Sequence, residues 1–256
     1  AGRESNGGEV FQGIYEKLQL DHVSFQFDGK EVLRDLELEI KKNETVAMVG
    51  ESGSGKSTLM SIISGLLIPS KGSYLIDGVN AANFDRNSLS RHIGYVSQDV
   101  NIFNDSIYNN VTFWAEENPE NQEKFLKAVK KAAIYNFIRE LPEKENTLLG
   151  NNGINLSGGQ KQRLAIAREL YKEVDLLLMD EATSALDGET EATIQHNIDQ
   201  LKGQLTIIII AHRLATIKSA DRIIVLKDGK IKAIGNYREL MAGSQVFQEM
   251  IDYQNL

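Results

Sequence analysis

One stretch constrains this chain more than any other: TVAMVGESGSGKSTLMSII, residues 45–63. A short apolar run leads into Gly50-Glu51-Ser52-Gly53-Ser54-Gly55-Lys56-Ser57-Thr58, and a helix-forming run follows at once. The pattern G-x-x-x-x-G-K-[ST], set between a buried strand and a helix, is that of a phosphate-binding loop. Its glycines let the backbone wrap close to phosphate with N–H groups turned inward. Lys56 brings positive charge to the outer phosphate oxygens, and the Ser57 hydroxyl suits Mg2+. A strand–loop–helix of this kind belongs in an α/β core.

Other segments agree with such a core. DLLLM (175–179) and LTIIII (205–210) are short, nearly continuous apolar runs, each bordering a potential helix. That is the pattern of parallel strands buried on both faces. Near the amino end the character differs. LQLDHVSFQF alternates apolar and polar residues, with a phase slip between Leu20 and Val23 that predicts a bulge, and LELEI (36–40) alternates cleanly. These read as an antiparallel β-subdomain with one wet face. Asp228-Gly229 between IIVL and KIKAIG predicts a hairpin.

The middle of the chain is charged and helical in period from Pro119 to Leu141, with further helical stretches at 106–113 and 157–172. The expected layout is a linker over 1–14, core halves at 15–97 and 174–256, and an inserted, mainly α-helical subdomain over 98–173. No internal repeat interrupts it.

Composition removes several function classes. A formal net charge of −8 counts against a basic nucleic-acid-binding surface, and the lack of cysteine excludes disulfides. The longest apolar run, LTIIIIA, falls far short of the roughly 20 residues of a membrane span.

A nucleoside triphosphatase also needs acids at the tip of a neighbouring buried strand. LLLMDE supplies Asp180 for the metal's water shell and Glu181 as a general base for water. His212 follows TIIII and Gln98 follows IGYVS, each at a strand end. On chemistry alone each is either a phosphate-facing group or a surface residue. NLSGGQKQRLAIAREL (155–170) places Leu156-Ser157-Gly158-Gly159-Gln160 at a second helix start, where bare N–H groups attract anions.

Taken together, these landmarks resemble the ATP-binding cassette of ABC transporters over nearly the whole chain. The order is shared: phosphate loop, Gln98, LSGGQ, LLLMDE, SALD (184–187), His212. The resemblance implies that ATP and Mg2+ are bound, with Ser57, Gln98 and (through water) Asp180 on the metal. It further implies Glu181 as base, His212 clamping γ-phosphate and water, and Gln98 sensing that phosphate. Two copies would pair head to tail, so that Leu156, Ser157, Gly158, Gly159 and Gln160 of one cap the ATP of the other. Ser184 and Asp187 would couple the two sites. The cassette would sit at the cytoplasmic face of a membrane, attached to transmembrane domains.

Three positions depart from the family pattern. Phe27 stands where a tyrosine usually stacks on adenine, keeping the π-face; Asn151 stands for the exporter glutamate of T-x-V-G-E; Tyr237 stands for a common histidine. The segment DVNIFNDSIYNNV after Gln98 is similar to the exporter branch, and Ile102, Phe103 and Ile107 are expected to be partly exposed in a lone chain. A soluble, non-transport ABC ATPase in DNA repair or translation is the alternative. Only 101 residues separate Lys56 from Ser157, without sustained heptads, which leaves no room for the coiled coil such proteins carry.

Overall fold

The computed structural model describes residues 8–153, 155–180 and 198–254. In chain order the elements are β1 (Lys17–Phe27), β2 (Lys30–Lys41), β3 (Thr45–Val49), α1 (Lys56–Ile63), β4 (Lys71–Ile76), β5 (Val79–Asn80), α2 (Arg86–Arg91) and β6 (Ile93–Val96). There follow α3 (Ile107–Thr112), α4 (Pro119–Lys131), α5 (Tyr135–Glu140), α6 (Gly158–Tyr171) and β7 (Leu176–Asp180). The chain then forms β8 (Thr206–Ile210), α7 (Leu214–Ser219), β9 (Arg222–Lys227), β10 (Lys230–Gly235), α8 (Tyr237–Gly243) and α9 (Gln245–Gln254).

Two sheets organise these elements. A four-stranded sheet runs β2-β1-β4-β5, all antiparallel; a six-stranded sheet runs β10-β9-β3-β8-β7-β6. In the second sheet every pairing is parallel except the β9–β10 hairpin. Its central strands β3 and β8 are buried along their whole length, which is why TVAMV and TIIII carry no polar alternation. The β9–β10 turn uses Asp228 and Gly229, both at positive φ, as a two-residue hairpin demands.

The phase slip in β1 has a physical cause. Leu20 faces Leu38 and Val23 faces Leu36, so Asp21 and His22 oppose the single residue Glu37. This bulge returns Val23 to the buried face. Without it, Val23 would point to the opposite face.

Three apolar clusters fill the interior. The first joins the antiparallel sheet to one face of the six-stranded sheet and to α1. The second joins the other face to the helices of the 107–171 region, and the third lies under α7, α8 and α9. The expected helical run from Pro119 to Leu141 is two helices, α4 and α5, parted by Ala132–Ile134.

Two expectations need correction. Residues 9–14 are not linker: Phe11 and Ile14 are buried in the first cluster, and Glu9 bridges to Phe84. Burial of such side chains stabilises by about 1.5–3 kcal/mol each, enough to hold the segment down. The Phe11 ring also meets Phe84 and His92 edge-on, at 5.0 and 5.1 Å. Likewise Ile102 and Ile107 are buried in the second cluster; of the three residues expected at the surface, only Phe103 is exposed.

Candidate functional site

The site begins with strand order. β3, β8, β7 and β6 are neighbours and parallel, so their carboxyl ends lie on one edge of the sheet. Met48, Ile210 and Asp180 form one row across β3, β8 and β7. The loops leaving these ends carry the phosphate loop, His212, Asp180 and Gln98. In open α/β sheets this edge is where ligands bind.

The phosphate loop owes its shape to two close approaches. A side chain on Gly50 would lie 2.2 Å from the Leu226 carbonyl oxygen of β9. Gly55 has φ 105° and presses on Leu33, leaving 2.6 Å for any Cβ. Lys56 is buried, and its Nζ donates to the carbonyl oxygens of Gly50 (2.8 Å) and Glu51 (3.0 Å). The lysine therefore closes the loop into a ring. Ser54 Oγ is buried in the same loop without a hydrogen-bond partner among the described residues.

Helix α1 starts at Lys56 with Gly55 as N-cap and no side-chain cap. Its first-turn N–H groups and the positive end of its dipole suit an anion. Ser52, Gly53, Gly55, Lys56, Ser57, Thr58 and His212 line one cleft of about 220 Å³, together with Val32 and Ile210. The last two were not foreseen. They follow from β2 and β8 flanking the loop, which no local motif encodes. An uncapped helix end, a buried orphan hydroxyl and a lysine fit a polyphosphate.

Asp180, at the tip of β7, is half-buried and accepts a hydrogen bond from Tyr95 Oη at 3.1 Å. Burial, and next the nearby Asp180 charge, push the Tyr95 phenol up to about 12. It therefore stays a donor at neutral pH, holding the carboxylate. Tyr95 is a site residue that sequence reasoning missed. Its only signal was a polar-tipped aromatic in IGYV, next to LLLMD in the sheet.

Gln98 is exposed two residues beyond β6, and Phe27 is 65% exposed at the end of β1. Neither lines the cleft around Lys56. So exposed, Phe27 is not a core residue. Glu181, Ser184 and Asp187 lie outside the described residues. Among the described residues, no three His, Asp or Glu side chains gather to hold a metal unaided. Ser57 and Asp180 fit Mg2+ only alongside phosphate oxygens.

At the second helix end the chemistry differs. Ser157 Oγ accepts the Gln160 N–H at 3.3 Å, and Gln160 Oε1 accepts the Ser157 N–H at 2.9 Å. This capping box satisfies part of the α6 terminus internally. The Ser157 hydroxyl proton remains available as a donor. Leu156 and Gly159 are buried, whereas Ser157 and Gly158 are exposed, so the terminus presents itself outward.

Fold and site together define a nucleotide-binding α/β domain with a phosphate loop at the carboxyl edge of a parallel sheet. The sequence pattern of the ABC transporter family matches residues 33–184, and the chain belongs to that family. It is 41% identical over 245 residues to the ATP-dependent lipid A-core flippase of Pasteurella multocida (strain Pm70), covering 95% of this chain and 41% of that protein. It is 42% identical over 250 residues to a provisionally named multidrug export ATP-binding/permease protein of Staphylococcus aureus (strain NCTC 8325 / PS 47), covering 97% of this chain and 42% of that one. Among solved structures, a bacterial Atm1-family ABC exporter with ATP bound aligns with TM-score 0.88 and 36% identity, over 98% of this chain and 44% of that chain. The chain thus spans about two fifths of the length of the curated relatives it matches. No helix among the described residues is long and apolar enough to cross a membrane.

Proposed function

We propose that this chain is the ATP-hydrolysing motor domain of an ABC exporter, seated at the cytoplasmic face of a membrane beneath its transmembrane domains. The observation that carries this reading is the single edge onto which β3, β8, β7 and β6 deliver Lys56, His212, Asp180 and Gln98. Lys56 and the α1 terminus bind the β- and γ-phosphates of ATP. Phe27 offers its exposed face to adenine, a stack worth about 1–3 kcal/mol in comparable complexes. Ser57, with Asp180 through water and Gln98, would hold Mg2+, which neutralises charge on the phosphate oxygens.

Glu181 takes the proton of a water that attacks the γ-phosphorus, and the bond to the ADP oxygen breaks. His212 orients that water and the phosphate. Tyr95 fixes the Asp180 carboxylate. Ser157 and the N–H groups of Gly158 and Gly159, from a second copy, complete the γ-phosphate site head to tail, and Ser184 and Asp187 couple the two sites. The capping box suits this role: it sets the α6 terminus in place before the partner arrives.

Residues 98–173 serve as the helical arm and 15–97 with 174–256 as the core. Cargo is chosen by the transmembrane part. That is why relatives named for lipid A-core flipping and for multidrug export are equally similar here, at 41% and 42%. The Glu181→Gln variant tests the reading: it should retain ATP and accumulate a dimer in sizing runs with saturating MgATP. A variant that stays monomeric would remove the main support for the paired site.

A further inference from the structure

Arg168 is the most unusual charge in the described part of the molecule. It lies in the last turn of α6 and is only 8% exposed, yet no described carboxylate comes within ion-pair distance. A cation this dry needs other compensation. Its Nε donates to the Asn110 carbonyl oxygen at 2.8 Å, Nη1 to the Asn101 carbonyl oxygen at 3.1 Å, and Nη2 to Asn110 Oδ1 at 3.3 Å. The guanidinium also lies 5.2 Å from the ring centres of both Phe103 and Phe113. Carbonyl dipoles and two π-faces replace a counter-ion.

The segment it grips is itself tightly sewn. Asn110 is fully buried; its Oδ1 accepts the Phe103 N–H at 2.8 Å, and its Nδ2 donates to the carbonyl oxygens of Phe103 (3.0 Å) and Ser106 (2.9 Å). Beyond α3, Phe113 and Trp114 both take positive φ, 53° and 59°. Two bulky aromatics in succession in that region cost of order 1–3 kcal/mol each, so their surroundings must hold them. Trp114 packs against Phe103 at 5.1 Å with the rings tilted by 54°, and its Nε1 donates to Asp105 Oδ2 at 2.8 Å. Lys172 adds a second cation 5.5 Å from the Phe113 ring.

These contacts join two parts far apart in sequence. One is the 101–114 segment that follows Gln98. The other is α6, whose first turn carries Ser157, eleven residues before Arg168 and about 16 Å away along the helix axis. We propose that Arg168 is a positioning residue: it fixes the angle of the LSGGQ helix end against the segment after Gln98, and so sets how that end meets the partner's nucleotide. The role rests on the paired-site reading above. Arg168 is not among the residues that line the cleft around Lys56 in its own chain.

Lysine at 168 keeps the charge but loses the fork that reaches three acceptors at once. The test compares wild type with Arg168→Lys and with Phe103→Leu, which keeps an apolar contact and removes one π-face. Three readouts are taken on the purified chain: affinity for MgATP, ATPase rate at high protein concentration, and the emission of Trp114, the single tryptophan. Arg168→Lys should bind MgATP within about twofold of wild type while turnover falls about tenfold. The Trp114 emission of the nucleotide-free variant should shift, and Phe103→Leu should move both readouts less in the same direction.

Wild-type turnover and emission in Arg168→Lys would overturn the proposal. So would a loss of nucleotide affinity in step with turnover, because that would make Arg168 a residue of the fold alone. If the wild-type chain itself did not hydrolyse ATP, the functional reading would fall, and the emission comparison would still decide whether Arg168 holds the segment.

Discussion

Ser157 and Gln160 satisfy each other: the serine oxygen accepts the glutamine N–H, and the glutamine oxygen accepts the serine N–H. The α6 terminus is thereby stable within one chain, whereas the α1 terminus at Gly55 has no side-chain cap. The two phosphate-seeking helix ends are thus unequal. One has no side-chain cap, and the other is capped with Ser157 and Gly158 exposed.

This difference is measurable. Gln160→Ala removes one half of the box and should cost about 1 kcal/mol, lowering Tm by roughly 2–4 °C in a domain of this size. Ser157→Arg should leave ATP binding by the monomer intact and abolish turnover. Thermal unfolding and ATPase assays on the same preparations separate the two effects. Normal turnover in Ser157→Arg would count against the cross-chain role.

Lys56→Ala should lower MgATP affinity about 10- to 100-fold, the worth of a charge-assisted contact to phosphate. The variant also loses the bonds to Gly50 and Glu51 that close the loop. A titration with a fluorescent ATP analogue reads it directly. Unchanged affinity would refute the assigned phosphate site.

Tyr95→Phe keeps the ring and removes only the donor to Asp180. Outer partners of metal-supporting carboxylates are typically worth about 10- to 100-fold, so kcat or Mg2+ dependence should fall by at least about tenfold. ATP affinity without metal should not change. If the Mg2+ concentration dependence matched wild type, Tyr95 would be packing alone.

The Asn109 amide, the Trp114 indole and the Ser106 N–H hold the Asp105 carboxyl below the ordinary aspartate value. A depressed folded value means that its contribution to stability is present above the unfolded value and is lost as pH falls through the folded one. Carboxyl NMR should find Asp105 still ionised where ordinary aspartates protonate, near about pH 4. Asp105→Asn should abolish that late transition. Titration at the ordinary value would show that the three donors do not bind the carboxylate.

Much of this architecture is legible in residues because the relevant signals are local. TVAMV before GESGSGKST announces a buried strand entering a phosphate loop, and the phase slip between Leu20 and Val23 announces the bulge. Asp228-Gly229 announces the last hairpin. What is hidden depends on distant partners. Phe11 and Ile14 are two apolar residues in a polar stretch, and only the first core cluster gives them a place. Arg168 shares a helix face with buried Leu164 and Ala165 but carries a charge, and the carbonyls that compensate it lie more than fifty residues away. Tyr95 becomes a site residue only because β6 pairs with β7.

In the proposed function two chains build each ATP site. The most direct measurement is the ATPase rate per chain against protein concentration at saturating MgATP, with light scattering on the same samples. The specific activity should climb with concentration and level off as a dimer forms. A constant specific activity from a chain that scatters as a monomer would contradict it.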